Sequence, residues 1–353
     1  MAVDPRSKRT PAIGTGDHGW NMTSLLICSD IIAPEVFDSG KKLMPEVSSF
    51  GEGVWLIIED IVPILRPDLK EAAGVCGVLI ATVLIIGMLR CFSGPAKSVA
   101  EIAAVVAIAA TLLKSMNSLI QLGSYTVTEI TEYGKLLIPV MTTALAAQGG
   151  IGKSGALYAG TIGFLTVVAG IIKTYLIPGV YIYLTCAICG GVCDEPVLKK
   201  MKDMIKNGTM WILKTVLSAF VSYIGITGVV SGTTDAAALK ATKTAISTAV
   251  PVVGGILSDA SEAVLIGLSV AKNAAGVYGI LAILAIFLEP FLKLLSHYLM
   301  LKITSLFCSV FDSKPATELI EDFTSAMALM LAMTGAVCLL ILIGTVCYLK
   351  GVE

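Results

Sequence analysis

Long stretches without a charged residue constrain this chain more than any other feature of its sequence. Residues 72–89 and 326–349 contain no Asp, Glu, Lys or Arg, and residues 154–193 contain Lys173 alone. A bilayer core about 30 Å thick needs about 20 apolar helical residues to cross it. A composition of 56% hydrophobic and only 14% charged residues also excludes an ordinary soluble domain. We therefore predict an all-α, polytopic helical membrane protein.

The overall charge and the small supply of metal-binding side chains exclude several function classes. The formal net charge is −1, so no global field attracts nucleic acid, and nucleic acid is excluded as a partner. Nine cysteines and two histidines fit neither a disulfide scaffold nor a typical catalytic metal site. We predict no enzyme activity, no cofactor and no metal; the predicted partner is the lipid bilayer.

The apolar runs predict eight spans. Two runs are long enough to cross twice, and each contains a proline expected to end a helix: Pro178 in the first and Pro290 in the second. Each of these two runs is therefore predicted to be a helical hairpin. The predicted spans lie in 72–89, 98–121, 154–193 (two), 207–231, 273–311 (two) and 326–349.

Residues 1–70 differ from the rest because they carry scattered charges and no long apolar run. We predict a soluble or interfacial N-terminal arm over 1–70 and a transmembrane helical domain over 71–350. Residues 45–65 place apolar side chains near a helical period, which favours an interfacial amphipathic helix over an ordinary packed one. Pro63 is expected to kink or end that helix.

Two prolines recur at one offset and indicate an internal repeat. Pro139 and Pro251 are separated by 112 positions, as are Pro178 and Pro290. The predicted repeats of about 110 residues cover about 98–206 and about 207–322, followed by a final span at 326–349. Duplicated units of this size are common in transport folds.

Charge favours repeats that are inverted over repeats that face the same way. Residues 194–206 contain four lysines, whereas residues 312–322 are mainly acidic. The positive-inside rule places the lysine-rich segment in the cytoplasm and permits the acidic one outside. This arrangement requires the short segments 136–147 and 244–258 to be re-entrant or broken helices. Arg90 and Lys97 conflict with it, because they would then lie outside.

Two apparent motifs have structural explanations. Residues 147–154 fit a relaxed phosphate-loop spacing, but they lie between apolar helical segments, where a real phosphate loop follows a strand. A turn between membrane helices explains their glycines. Cys186, Cys189 and Cys193 lack a nearby fourth ligand, so buried thiols in a membrane helix are favoured over a metal site.

Candidate functional residues cluster at the repeat-related prolines and at charges inside apolar runs. Glu289 is the best single candidate, because an intramembrane carboxylate normally has a partner or a conducting role. The glycines have close helix packing as their alternative explanation, and Asp259 and Glu262 have a solvated loop. The candidate pathway and helix-break residues are Pro139, Pro178, Pro251, Gly254, Gly255, Asp259, Glu262, Glu289, Pro290 and Lys173.

The proline segments, residues 253–260 (VGGILSDA), residues 272–277 (KNAAGV) and Glu289-Pro290 together resemble the stage III sporulation protein AE family of endospore-forming bacteria. The resemblance covers about residues 70–350. It implies a permease-like protein of the mother-cell membrane around the forespore, assembled with other sporulation membrane proteins of the same complex. It also implies an exported start with a cleavable signal, which the first residues here lack. It carries over no catalytic or ligand-binding residue.

These observations predict a membrane component of a sporulation-specific transport or secretion channel complex between mother cell and forespore. A path between the two repeats is the expected mechanism, with broken helices exposing backbone groups that lipid could not satisfy. The alternatives are a stand-alone secondary transporter and a noncatalytic membrane scaffold that anchors partner proteins.

Overall fold

The computed structural model describes residues 50–91, 96–147, 151–193, 195–226, 274–310 and 314–350, and these residues are almost entirely helical, with no β-strand among them. A π-helical segment, Ile172–Leu176, joins the third and fourth helices without a break. The helices are α1 Phe50–Cys91, α2 Ala96–Ala147, α3 Ile151–Ile171, α4 Ile177–Val192, α5 Pro196–Ile226, α6 Ala274–Ser309 and α7 Lys314–Lys350.

Six helical stretches in the described ranges are long and apolar enough to cross a membrane, counting α3, the π segment and α4 as one. This confirms the predicted all-α, polytopic class. The helices are much longer than a bilayer core requires. The 52 residues of α2, for example, extend about 78 Å at 1.5 Å per residue.

The two predicted helical hairpins are wrong, because each run forms one continuous helix. The chain does not turn at Pro178-Gly179, and α6 passes through Pro290. A proline removes one backbone donor, and inside a membrane bundle local π adjustments and neighbouring helices can satisfy the freed groups. At Pro178 the adjustment is visible, since the π segment ends two residues before it.

Three further prolines, Pro63, Pro67 and Pro139, also lie inside helices. The first helix, α1, contains both Pro63 and Pro67, so the helix does not end at Pro63 and runs without interruption across residue 70. Ile57 and Ile61 of its first half are buried in the core. Residues 136–147 form the last part of α2 and continue it through Pro139. The re-entrant segment predicted there is therefore wrong; its counterpart, 244–258, lies outside the described residues.

The last helix, α7, is the centre of the bundle. It packs against α2, α3, α4, α5 and α6, and 94% of its most apolar 18-residue stretch is buried inside the protein. Gly344 permits one close approach, because a Cβ there would lie 2.6 Å from Thr161 Cγ2. The first helix, α1, packs on the outside against α2 and α6.

The helix junctions α1–α2, α4–α5 and α6–α7 all lie at one end of the bundle, here named the junction end. Gly191 near the end of α4 lies against Val105 near the start of α2. Ser305 near the end of α6 donates a hydrogen bond to Glu321 of α7. The opposite end brings Tyr348 of α7 to Thr142 of α2, with 3.1 Å between their hydroxyl oxygens.

The lysine-rich segment 194–206 and the acidic segment 312–322 both lie at the junction end, although their charges predict opposite membrane faces. Lys202 of the lysine-rich segment forms an ion pair with Asp322 of the acidic segment. The prediction that these segments face opposite sides is therefore wrong. The physical reason is the number of crossings: the supposed hairpin over 273–311, which lies between the two segments, is the single helix α6, so the parity between them changes.

Candidate functional site

Three charged side chains meet between α1 and α6, and we name Asp68, Glu289 and Lys293 the charged cluster. Lys293 Nζ lies 3.0 Å from Glu289 Oε1 and 3.5 Å from Asp68 Oδ2. The pair within α6 follows from the i,i+4 spacing, which puts both side chains on one helix face. The pair with Asp68 joins two helices that are more than 200 positions apart in the sequence.

The charged cluster is partly withdrawn from solvent. Its side chains are between 18% and 25% exposed. Pro290 and Phe291, which follow Glu289 in the chain, are buried, and the tilted rings of Phe287 and Phe291 have their centroids 4.7 Å apart. Two carboxylates face one ammonium, so the ionised cluster carries a net charge of −1, which apolar surroundings make costly.

His297 extends this polar face of α6 by one turn. It is 8% exposed, and its Nδ1 lies 3.0 Å from the backbone oxygen of Lys293. It lines a small cavity between α1, α2 and α6, together with Cys76 of α1 and Ser115 of α2. Cys76 also shares a side-chain hydrogen bond with Thr304, two turns further along α6. Polar groups thus follow the α1–α6 interface from Glu289 to Thr304.

A second group of polar contacts, here named the junction clasp, holds α4, α5 and α7 together. Tyr183 of α4 donates a hydrogen bond of 2.9 Å to Asp322 Oδ1, while Lys202 pairs with the other oxygen of the same carboxylate. Lys206 Nζ donates to Ser325 Oγ at 3.1 Å. One carboxylate of α7 therefore ties two other helices, which suits a structural role.

The structure brings few of the predicted site residues together. Glu289 lies in the charged cluster, with buried Pro290 next to it. Pro139 lies inside α2, and exposed Pro178 and Lys173 flank or occupy the π segment. The helices are unbroken at Pro139 and Pro290, so a helix break is not seen at either. Pro251, Gly254, Gly255, Asp259 and Glu262 lie outside the described residues.

Sequence reasoning missed the partners that complete the site. Asp68 was assigned to the N-terminal arm, because the region before residue 72 is charged. Asp68 lies four positions before Ala72, so the two side chains share one face of the helix. Because Ala72 begins the first apolar span, this spacing could have suggested that Asp68 faces the protein interior. Glu129 of α2 was also missed; at 4% exposed it is the most buried carboxylate of the described part.

The two motifs with structural explanations have different outcomes. A helix, α2, precedes the phosphate-loop-like residues, and Gly152 and Lys153 already belong to α3. This is the wrong context for a phosphate loop, which requires a preceding strand. Cys186 is buried, but Cys189 and Cys193 are exposed, so the prediction that all three thiols are buried is wrong.

Comparison with known proteins identifies the family. The chain is 22% identical over 229 residues to stage III sporulation protein AE of Bacillus subtilis (strain 168). That alignment covers 65% of this chain and 57% of the relative, so less than two thirds of the relative's length is matched. No solved structure matches the chain. The family model for stage III sporulation protein AE matches residues 42–349, and the chain therefore belongs to that family.

Proposed function

We propose that this protein is a membrane subunit of a sporulation-specific transport or secretion channel complex between mother cell and forespore. Family membership and the six helices of the described ranges that are able to span a membrane support a multi-pass sporulation membrane protein. The channel role, the other sporulation membrane proteins as partners and the location around the forespore belong to the proposal.

The charged cluster is the single observation that carries a transport role. A balanced ion pair such as Lys202–Asp322 can serve structure alone, but a protein that only anchors partners needs no unbalanced set of charges between apolar helices, because charges there are expensive to bury. Here three ionised groups gather where α1 meets α6, with unequal numbers of positive and negative charges. A passing cation or proton can compensate an excess of one negative charge. We therefore place the proposed transport route at the α1–α6 interface and no longer between the two repeats.

The distribution of lysine and arginine orients the proposed subunit. Arg90 and Lys97 flank the α1–α2 junction, and the start of α5 carries Lys199, Lys200, Lys202 and Lys206. All of these lie toward the junction end, so the positive-inside rule makes that end cytoplasmic. The earlier conflict over Arg90 and Lys97 disappears. The same orientation places the start of α1 on the exported side, which agrees with the exported start that the family resemblance implies.

The functional test is Glu289→Gln in the native host. The amide retains the volume and removes one charge, so the variant should accumulate in the membrane at the wild-type level yet fail to support sporulation. Glu132→Gln is the matched control, because Glu132 forms an i,i+3 pair of 2.8 Å with Lys135 on an exposed surface. Normal sporulation of Glu289→Gln at a normal protein level would favour the scaffold alternative.

Orientation is tested by thiol labelling in sealed vesicles. The exposed Cys189 and Cys193 are first replaced by alanine. Cysteines introduced at Lys200 and Glu318 should react from the same membrane face, and one at Lys153 from the other. Labelling of the first two from opposite faces would contradict both the fold and the proposed orientation.

A further inference from the structure

We propose that two copies of this chain pair through a polar stripe on α2, with their α2 helices parallel and in contact. The inference rests on helices that can span a membrane and not on the transport role, so the two are tested separately. The polar stripe covers three turns of α2, and its residues are exposed or half-buried: Asn117, Ser118, Gln121, Ser124, Tyr125 and Thr128.

The polar stripe lies at the depth of a membrane crossing. Gly123 of α2, in the middle of the stripe, lies against Met330 of α7. Residues 323–349 of α7 contain no charged residue, and a crossing of about 20 residues placed anywhere in this run includes 330–342. The second half of the stripe therefore lies within the bilayer for every such placement. Its first half lies within about 9 Å of that level along the helix axis.

Lipid cannot satisfy the hydrogen-bonding groups of this face. Asn117 accepts a hydrogen bond of 2.9 Å from the Tyr181 hydroxyl of α4, and Thr128 donates one of 3.0 Å to the backbone oxygen of Ser124. The exposed Gln121 carries a side-chain amide with two donor hydrogens and an acceptor oxygen. Inside membranes such amides and hydroxyls hydrogen-bond to neighbouring helices. A helix partner is therefore expected over Gln121.

The spacing of the stripe is that of a helix pair. Ser118, Gln121, Tyr125 and Thr128 follow one another at intervals of three, four and three residues. This alternation keeps one seam facing a second helix in a left-handed pair, which is the crossing that most membrane bundles use. The polar stripe therefore has the geometry of a helix–helix contact.

A second copy of the chain is the partner that this chemistry fits. Copies in one membrane share an orientation, so a two-fold axis along the membrane normal brings each stripe residue near its own counterpart. Hydroxyl and amide groups both donate and accept, and they can pair with identical groups, whereas like charges would repel. Residues 115–128 contain no charged residue. The nearby exposed Glu132 already pairs with Lys135 on the same helix and lies outside the stripe.

The experiment is disulfide crosslinking of the full chain in native membranes. The exposed Cys189 and Cys193 are first replaced by alanine, and two versions with different affinity tags are co-expressed. Ser118→Cys and Thr128→Cys nearly retain the side-chain size, and oxidation should link each into dimers that carry both tags. Val221→Cys is the matched control, because Val221 is 46% exposed within the candidate span of α5. It should crosslink no more than the parent chain.

A leucine substitution tests the amide itself. Gln121→Leu removes the hydrogen-bonding group and leaves a side chain that lipid can cover, so the Ser118→Cys crosslink should be lost at an unchanged protein level. Thr215→Leu, at an exposed position of α5, is the control and should leave that crosslink unchanged.

Several results would overturn the proposal. These are background crosslinking at both Ser118 and Thr128, equal crosslinking at Val221, and a crosslink that survives Gln121→Leu. A stripe cysteine that reacts with a membrane-impermeant thiol reagent but forms no dimer would assign the stripe to a water-filled path instead. One that does neither would assign it to a different protein or to another segment of the same chain. The sporulation phenotype of Glu289→Gln decides the proposed function separately.

Discussion

Removing the ammonium group of Lys293 is the sharpest test of the charged cluster. Lys293→Met retains an unbranched apolar stem but leaves Asp68 and Glu289 without the cation that lies between them. In the wild type Lys293 Nζ lies 3.0 Å from Glu289 Oε1 and 3.5 Å from Asp68 Oδ2, and the variant loses both ion pairs. Two like charges then remain in a partly apolar interface, which is worse than the loss of one attraction.

The expected cost lies between two known limits. Breaking a fully buried pair by removing one partner costs about 3–5 kcal/mol. An exposed pair contributes only about 0.2–1 kcal/mol. The cluster side chains are about one quarter exposed or less, so solvent screens part of the effect. We expect Lys293→Met to lower the free energy of unfolding by about 1–3 kcal/mol.

A fully neutral cluster separates electrostatics from packing. In the triple variant Asp68→Asn, Lys293→Met, Glu289→Gln no charge remains to be desolvated. Replacing a buried ion pair by apolar side chains of similar volume is often neutral or stabilising, and amides of similar volume likewise avoid the cost of an unpaired charge. We expect the triple variant to unfold within about 1 kcal/mol of the wild type, or to be more stable.

The measurement is reversible unfolding by SDS in mixed micelles, followed by circular dichroism. Under the proposed function, the triple variant should also fail to support sporulation despite its stability. The reasoning would be refuted by a triple variant less stable than Lys293→Met, because the cost would then come from packing and not from unpaired charge.

Two further predictions concern packing away from the charged cluster. Asp322→Asn should lower the free energy of unfolding by about 1–3 kcal/mol, because it removes the Lys202 ion pair of the junction clasp. The control Glu318→Gln, at an exposed position, should change that free energy by less than about 0.5 kcal/mol. Equal effects of the two variants in SDS unfolding would contradict a role for the clasp. Gly344→Ala should lower the free energy of unfolding by about 1–3 kcal/mol, because the added Cβ would overlap Thr161. Gly163→Ala, whose added Cβ would have no atom within 4 Å, should leave that free energy unchanged or raise it. An unchanged stability of Gly344→Ala would show that α3 and α7 can separate there.

The sequence by itself determined that this chain forms long apolar helices able to span a membrane. The runs 72–89, 98–121 and 326–349 all lie inside observed helices, and so does 207–226, the described part of 207–231. The physical reason is local: in a bilayer each backbone donor and acceptor must be satisfied, and a single helix does so within one segment. Length and apolarity are therefore sufficient, with no knowledge of any neighbour. The internal repeat stays a prediction.

Tertiary structure decided whether the prolines interrupt those helices. A proline weakens one turn by an amount that neighbouring helices can offset, so its effect depends on what packs beside it. Pro178 is accommodated by the π segment, and Pro290 lies buried within α6. Sequence rules treated both as turns. Each of the two errors added one crossing that is not there, and so reversed the relative side of the segments before and after that run.

Tertiary structure also decided which charges meet. The i,i+4 spacing was enough to pair Glu289 with Lys293, because helical geometry brings those positions together. Nothing local relates either residue to Asp68, or Lys202 to Asp322. Those pairs depend on the packing of whole apolar helices, α1 on α6 and α5 on α7, and the charges take the partners that this packing brings within reach.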